Sequence, residues 1–338
     1  MPDYTKMLEA ARDAVLAAAS VTRQVQSAID EVRAITKDDD SPVSVADYAS
    51  QAIVGRVLAD RLGGDVILVG EEDSSYLSDD SHAAVLDAVL AAVREVDESI
   101  NEDQLLNAID VGAGDTHHAG FWTLDPIDGT KGFLRGQQYS IALAYIERGD
   151  PVVAALGCPN LSTNFDDDVQ KPHDTGSLYV AIKGDGTWES PCDEAGAASP
   201  TKLTRLDRDE TGPITVCTSV EGGHSNLERT GQVMERVGLQ WDRLPIDSQC
   251  KYAVVARGQA DAYLRLPTRA SYVERIWDHA AGALIAEEAG AAVTDMFGHR
   301  LDFAHGRGLE KNKGLIVATP KIHGPLHGAI EALKLGPA

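Results

Sequence analysis

Aromatic residues are scarce in this chain: Phe, Trp and Tyr together make up 5% of its 338 residues. A core built without them rests on aliphatic packing. The 43% hydrophobic content and 31 glycines fit a sheet-and-turn protein large enough for two domains or one two-lobed unit. Cysteines are equally few. Cys158, Cys192, Cys217 and Cys250 lie far apart, with no CxxC pair and no zinc spacing, which excludes a disulfide framework and leaves reduced, packed thiols. No apolar run approaches the ~18 residues of a membrane helix. Met1 to Leu8 carries acid early and lacks a basic, then apolar leader, so a cytoplasmic location is expected. Positive charge is short as well: 30 Lys and Arg face 53 Asp and Glu, for a net charge of −23. Such a surface repels nucleic acid and anionic membranes. It would repel a phosphorylated substrate too, unless metal ions or a basic pocket supplied local positive charge.

What is present reads as helices and antiparallel strands followed by an alternating α/β half. Met7, Ala11, Ala14, Ala18, Val21, Val25 and Val32 recur at three- and four-residue steps and predict one amphipathic helix over 4–34. Ser44-Val-Ala-Asp47 has the spacing of a capping box and opens a helix to about Leu62. Val66–Val69 is a short strand ending at Gly70-Glu71-Glu72, and residues 83–109 read as two helical pieces. Phe121–Leu124 is a strand running into Asp125-Pro-Ile-Asp-Gly-Thr130, with hairpins over 139–156 and 177–189. The Pro-, Ser- and Thr-rich stretch 190–212 reads as a link between a domain of residues 1–212 and one of 213–338. Beyond it the pattern predicts strands over 214–218, 261–266 and 314–318, and helices over 225–237, 247–257, 278–289 and 320–334.

The segment Asp125-Pro-Ile-Asp128-Gly-Thr130 is the most informative. A strand ends, proline forces a turn, and two aspartates three residues apart can converge, with the Ile127 carbonyl and Thr130 hydroxyl beside them. These are hard oxygen donors, the set magnesium prefers. An Asx-type turn that only ties down the backbone has the same local pattern. Glu71 and Glu72 also stand at a strand end, where α/β sheets place ligand sites. Asp278, in Ile276-Trp-Asp-His-Ala-Ala-Gly282, opens a later helix with small residues behind it. If Glu71, Asp125, Asp128 and Asp278 converged, each close pair would repel by about 4 kcal/mol at an effective dielectric of 20, and cations would relieve it.

The succession GEE, DPIDGT and WDHAAG resembles the inositol monophosphatase superfamily of lithium-sensitive, magnesium-dependent phosphatases. Further segments resemble its 3'(2'),5'-bisphosphate nucleotidase branch, which removes the 3'-phosphate of adenosine 3',5'-bisphosphate (PAP) to leave AMP. They are Ser41-Pro-Val-Ser-Val-Ala-Asp47-Tyr, Asp128-Gly-Thr-Lys-Gly-Phe-Leu-Arg-Gly136, Glu221-Gly-Gly-His224-Ser, Asp247-Ser-Gln-Cys-Lys251-Tyr and Tyr263-Leu-Arg265-Leu-Pro. The likeness covers nearly the whole chain and is weakest over 79–118 and 162–212.

The resemblance implies a layered αβαβα sandwich of the inositol monophosphatase and fructose-1,6-bisphosphatase type. It implies that Glu71, Asp125, the Ile127 carbonyl, Asp128 and Asp278 ligate up to three magnesium ions, with Glu72 supporting them from behind. Asp47 and Thr130 would position and deprotonate the attacking water. Thr130, His224, Ser248, Lys251, Arg265 and Asp278 would hold the substrate, with Arg265 gripping phosphate bidentately. Lys131 and Arg135 follow the metal loop and fit either substrate contact or loop support. PAP, its sulfated precursor PAPS and inositol 1,4-bisphosphate all remain open as substrates, the last as for an inositol polyphosphate 1-phosphatase. A non-catalytic sensor on the same fold is disfavoured by the retention of both Asp47 and Thr130. A monomer acting on a small phosphorylated molecule, without nucleic-acid or membrane partners, is the expectation.

Overall fold

A computed structural model of the chain describes residues 2–29, 45–63, 66–193, 200–204, 212–220, 227–267, 269 and 271–336. Its layers follow from strands that bury both faces. In β3 (Ser140–Glu147), Ile141 and Leu143 point into one core, while Ala142 and Ala144 point into another. The same two-residue alternation runs through β4 (Asp150–Cys158): Val153 and Ala155 face one side, Ala154 and Leu156 the other. The first sheet has the order β1 (Leu68–Gly70), β2 (Gly120–Asp128), β3, β4, β5 (Ser177–Ile182), β6 (Gly186–Pro191), β7 (Thr201–Lys202). Only its β1–β2 pair is parallel.

On one face lie α1 (Tyr4–Ser27) and α2 (Val45–Leu62), flanked by α3 (Ala83–Arg94) and α4 (Glu102–Asp110). Asp3 caps α1 by accepting the Lys6 N–H at 3.1 Å, and its Ala10–Val25 stripe is buried. On the other face the small residues of β3 and β4 admit α8 (Ala280–Glu288) closely, and α7 (Cys250–Ala256), buried at every position, packs beside it in the same core. Beneath these lies the second sheet, ordered β11 (Ala292–Thr294), β12 (Leu315–Ala318), β10 (Ala262–Arg265), β8 (Ile214–Thr218), β9 (Trp241–Pro245). Here too alternate residues divide: Tyr263 faces α7, whereas Ala262 and Leu264 face the outer helices α6 (Leu227–Val237) and α9 (Pro320–Ala332). Helix, sheet, helix, sheet, helix is the αβαβα sandwich.

Several boundaries differ from the sequence reading. The first helix closes at Ser27, with Ala28 as its cap. The helix expected over 247–257 is confined to 250–256, because Ser248 takes the left-handed conformation at φ 64°. Strands β7, β9 and β11 were unforeseen; β9 is an edge strand whose Asp242 and Arg243 are exposed, so no alternation marks it. Ser44, which would complete the capping box before α2, lies outside the described residues. No helix among the described residues is long and apolar enough to cross a membrane.

Candidate active site

Two strand ends begin the site. In the parallel pair, Gly70 stands opposite Leu124, so the residues that follow, Glu71 and Asp125, emerge side by side. β2 then carries Asp125 to Asp128 through a register shift against β3. Gly129, at φ 88°, turns the chain into the short helix α5 (Thr130–Leu134). A side chain at 129 would be strained and would meet the Ser248 Cβ at 2.9 Å. The loop therefore lies tight against the approach to α7, where Asp128 Oδ2 accepts the Gln249 N–H at 2.6 Å. Asp278 enters from the turn before α8. Glu71, Asp125, Asp128, Asp278 and the Ile127–Thr130 turn line one cavity of about 280 Å³.

The carboxylates feel one another. Asp125 is 3% exposed. Burial, then the charges of Glu71, Asp128, Asp278 and Asp47, push its carboxyl well above the usual range. Asp278 is pushed up to about 7, chiefly by burial; His279 and Arg265 oppose the shift and Asp128 adds to it. Glu71 opens on the cavity mouth and is the most solvated of the four. The protein packed around it, Glu72 and Asp128 still raise its carboxyl, against Arg275 and Arg307. Asp125 Oδ1 is buried with no hydrogen-bond partner in the protein, an unusual state for a carboxylate oxygen. An orphaned oxygen among mutually repelling carboxylates suits a hard divalent cation, and these residues fit one.

Helix α2 braces this cluster. Asp47 is buried in its first turn, and Ser50 Oγ donates to the Pro126 carbonyl at 2.9 Å. Gln51 Nε2 donates to the Glu72 and Ile109 carbonyls at 2.7 and 2.9 Å, while its Oε1 accepts the Glu72 N–H at 3.2 Å. Glu72 is thus held by its backbone and is absent from the described cavity lining. The Thr130 hydroxyl donates to the Ile127 carbonyl at 3.3 Å.

Cations line the same cavity. Lys251 is 5% exposed; its Nζ donates to the Ile246 carbonyl at 3.3 Å and lies 5.3 Å from the Tyr263 ring centroid. Burial lowers its pKa, and Asp128 and Asp247 oppose that. Ser248 and Arg265 line the same cavity. The fork of Arg265 does not point at an incoming phosphate, as the sequence reading expected. Its Nε and Nη2 reach Glu274 at 2.9 and 2.7 Å, and Nη2 also donates to the Tyr272 hydroxyl at 2.9 Å. Burial alone would push Glu274 up; Arg265, then His279, outweigh it and hold its carboxyl at about 2. Glu274, Asp278 and His279 lie close enough to share a metal ion. The Glu274 oxygens are already engaged by Arg265 and His279, and His279 Nδ1 by the Tyr252 hydroxyl, so a bracing network accounts for that trio.

The loop cations separate. Lys131 lines the cavity, whereas Arg135 Nη2 bonds Asp247 Oδ2 at 2.5 Å and ties the loop to the approach to α7. His224 lies outside the described residues. Three contributors escaped the sequence reading. Gln51 is a polar residue in a run buried from Val45 to Gly55. Glu274 sits four residues before Asp278. Arg307, between two glycines, donates from Nη2 to the Gly70 carbonyl at 2.5 Å and lies 4.8 Å from the Trp277 ring centroid, with Arg275 at 5.8 Å from the same ring.

A family model described as the inositol monophosphatase family matches residues 3–333. The chain is 41% identical to a 3'(2'),5'-bisphosphate nucleotidase of Schizosaccharomyces pombe over 84% of this chain and 82% of that protein. It is 37% identical to a 3'(2'),5'-bisphosphate nucleotidase 1 of Candida albicans over 98% of this chain and 96% of that one. The solved structure of a Thermotoga maritima IMPase shares the fold, with a TM-score of 0.62, 19% identity and coverage of 98% and 99%. With the sandwich, the carboxylate cluster and a match along almost its full length, the chain belongs to the inositol monophosphatase family.

Proposed function

We propose that the protein is a magnesium-dependent 3'(2'),5'-bisphosphate nucleotidase that converts PAP and water to AMP and phosphate. The observation that carries this is the charge of the cavity lining: four carboxylates share one cavity with the buried Lys251 and with Arg265. A substrate with two phosphates fits such a cavity, one at the cations held by the carboxylates and one beside Lys251. The names of the relatives point the same way.

Glu71, Asp125, Asp128, Asp278 and the Ile127 carbonyl would hold magnesium. When bound, it supplies Lewis acidity, making a water acidic enough to ionise near neutral pH and offsetting charge on the departing oxygen. Thr130, backed by Asp47, orients the attacking water. The water oxygen bonds to phosphorus, the bond from phosphorus to O3' breaks, and O3' leaves with a proton. Ser248, Lys251 and the remaining amino group of Arg265 hold the 5'-phosphate away from the carboxylates. A charge-assisted hydrogen bond there is worth roughly 1.5–3 kcal/mol.

Phosphate release from PAP, PAPS, inositol 1,4-bisphosphate, inositol 1-phosphate and fructose 1,6-bisphosphate tests the reading; PAP should lead. Lys251→Ala should lower kcat/KM for PAP by about 10- to 150-fold while affecting 3'-AMP much less. Equal losses on both substrates would remove Lys251 from the 5'-phosphate, and inositol 1,4-bisphosphate leading the panel would overturn the substrate assignment.

A further inference from the structure

The nucleotidase reading seats two phosphates and leaves the base without a place. A purine seeks a flat, accessible ring on which to stack. Among the described residues, three tyrosines line the cavity: Tyr252, Tyr263 and Tyr272. Tyr252 and Tyr263 are 1% and 2% exposed and pack edge to face, with centroids 5.4 Å apart. The Tyr252 hydroxyl is engaged by His279, and Lys251 sits over the Tyr263 ring. Neither leaves a ring face open for stacking.

Tyr272 differs in its exposure, although Arg265 also lies 5.8 Å from its ring centroid. It is 39% exposed, one of the few large apolar side chains to be so, yet it is held at both ends. Arg265 donates to its hydroxyl at 2.9 Å, and Lys313 Nζ donates to its carbonyl at 2.9 Å. Arg265 is itself fixed by Glu274. An aromatic ring kept accessible at a cavity wall and pinned in position is preorganised for a flat partner, with little entropy left to lose on binding.

We infer that Tyr272 is the stacking platform for the nucleobase, so that the protein selects nucleoside bisphosphates over phosphorylated polyols. This rests on the nucleotidase reading above. The Tyr272–Arg265 bond fixes the spacing between platform and phosphate wall, so a substrate is measured by two features at once. An inositol bisphosphate satisfies only the phosphate wall.

The test compares PAP with methyl riboside 3,5-bisphosphate, which keeps both phosphates and the sugar but has no base. Tyr272→Ala should lower kcat/KM for PAP about tenfold to a hundredfold, mostly through KM, and leave the baseless substrate within about twofold. Tyr272→Phe, which keeps the ring and loses the hydroxyl bond that pins it, should lose clearly less than Tyr272→Ala on PAP and stay near wild type on the baseless substrate. Equal losses on the two substrates, no loss on PAP, or a loss in Tyr272→Phe as large as in Tyr272→Ala would each overturn the platform. In all of those cases wild type would still prefer PAP to inositol 1,4-bisphosphate. Loss of that wild-type preference would bring down the nucleotidase reading itself, and the platform with it.

Discussion

Asp125 shows how a single carboxyl couples folding to metal and to pH. Its raised proton affinity means that the metal-free folded state holds a proton the unfolded chain releases near pH 4. Stability is therefore full below about pH 4 and declines as the pH climbs through the raised values of Asp125 and of Asp278, the latter at about 7. In EDTA the melting temperature of wild type should fall from pH 4.5 to pH 7.5. Asp125→Asn should flatten that fall, melt at least as high as wild type at neutral pH, and lose several orders of magnitude of activity. Near-normal turnover of that variant in saturating magnesium would refute the metal assignment. The same oxygen set accepts a small hard monovalent ion, so lithium chloride should inhibit at millimolar concentration where sodium and potassium chloride do not. Identical effects of the three salts would count against it.

At the scale of elements, the segment between β10 and α8 locks the cationic wall to the carboxylates. Arg265→Ala would strip Glu274, 4% exposed, of its guanidinium partner and leave it to His279, a change that costs up to about 3–5 kcal/mol. Adding Glu274→Gln should recover much of that in urea unfolding without recovering preference for PAP over 3'-AMP. Recovery of both would make Arg265 a bracing residue only. What the sequence disclosed at this scale was local: a strand ending in Gly-Glu-Glu, a proline turn between two aspartates, a periodic first helix. What it hid was long-range. Arg307 bonds Gly70 across 237 residues, and Gln51 reaches Glu72 and Ile109 from another helix; no spacing rule links such pairs. The left-handed Ser248 was hidden for a different reason, since serine carries no signal for positive φ, and only its fit against Gly129 explains it. The fork of Arg265, expected to grip phosphate, faces Glu274, a partner nine residues on that no local pattern announces.

For the whole molecule, the carboxylates come from both halves of the sandwich: Glu71, Asp125 and Asp128 from the end of the first sheet, Asp278 from beyond the second sheet's β10. A cation shared among them links the layers. Magnesium at a hundredfold excess over its dissociation constant would add about 2.7 kcal/mol of stability, a rise of roughly 4 °C in melting temperature for a chain of this length. Asp278→Asn should abolish most of that rise; an undiminished rise would mean that magnesium acts elsewhere. The layering also leaves one indole in a singular position. Of the four tryptophans, Trp122, Trp188 and Trp241 belong to strands β2, β6 and β9, whereas Trp277 adjoins Asp278 and lies 5.8 and 4.8 Å from the guanidinium groups of Arg275 and Arg307, whose charges also act on Glu71. Any ion that neutralises Glu71 or Asp278 alters the electric field across that ring, so the protein carries its own optical gauge. Cation occupancy should be readable from intrinsic emission alone, without a label and without turnover.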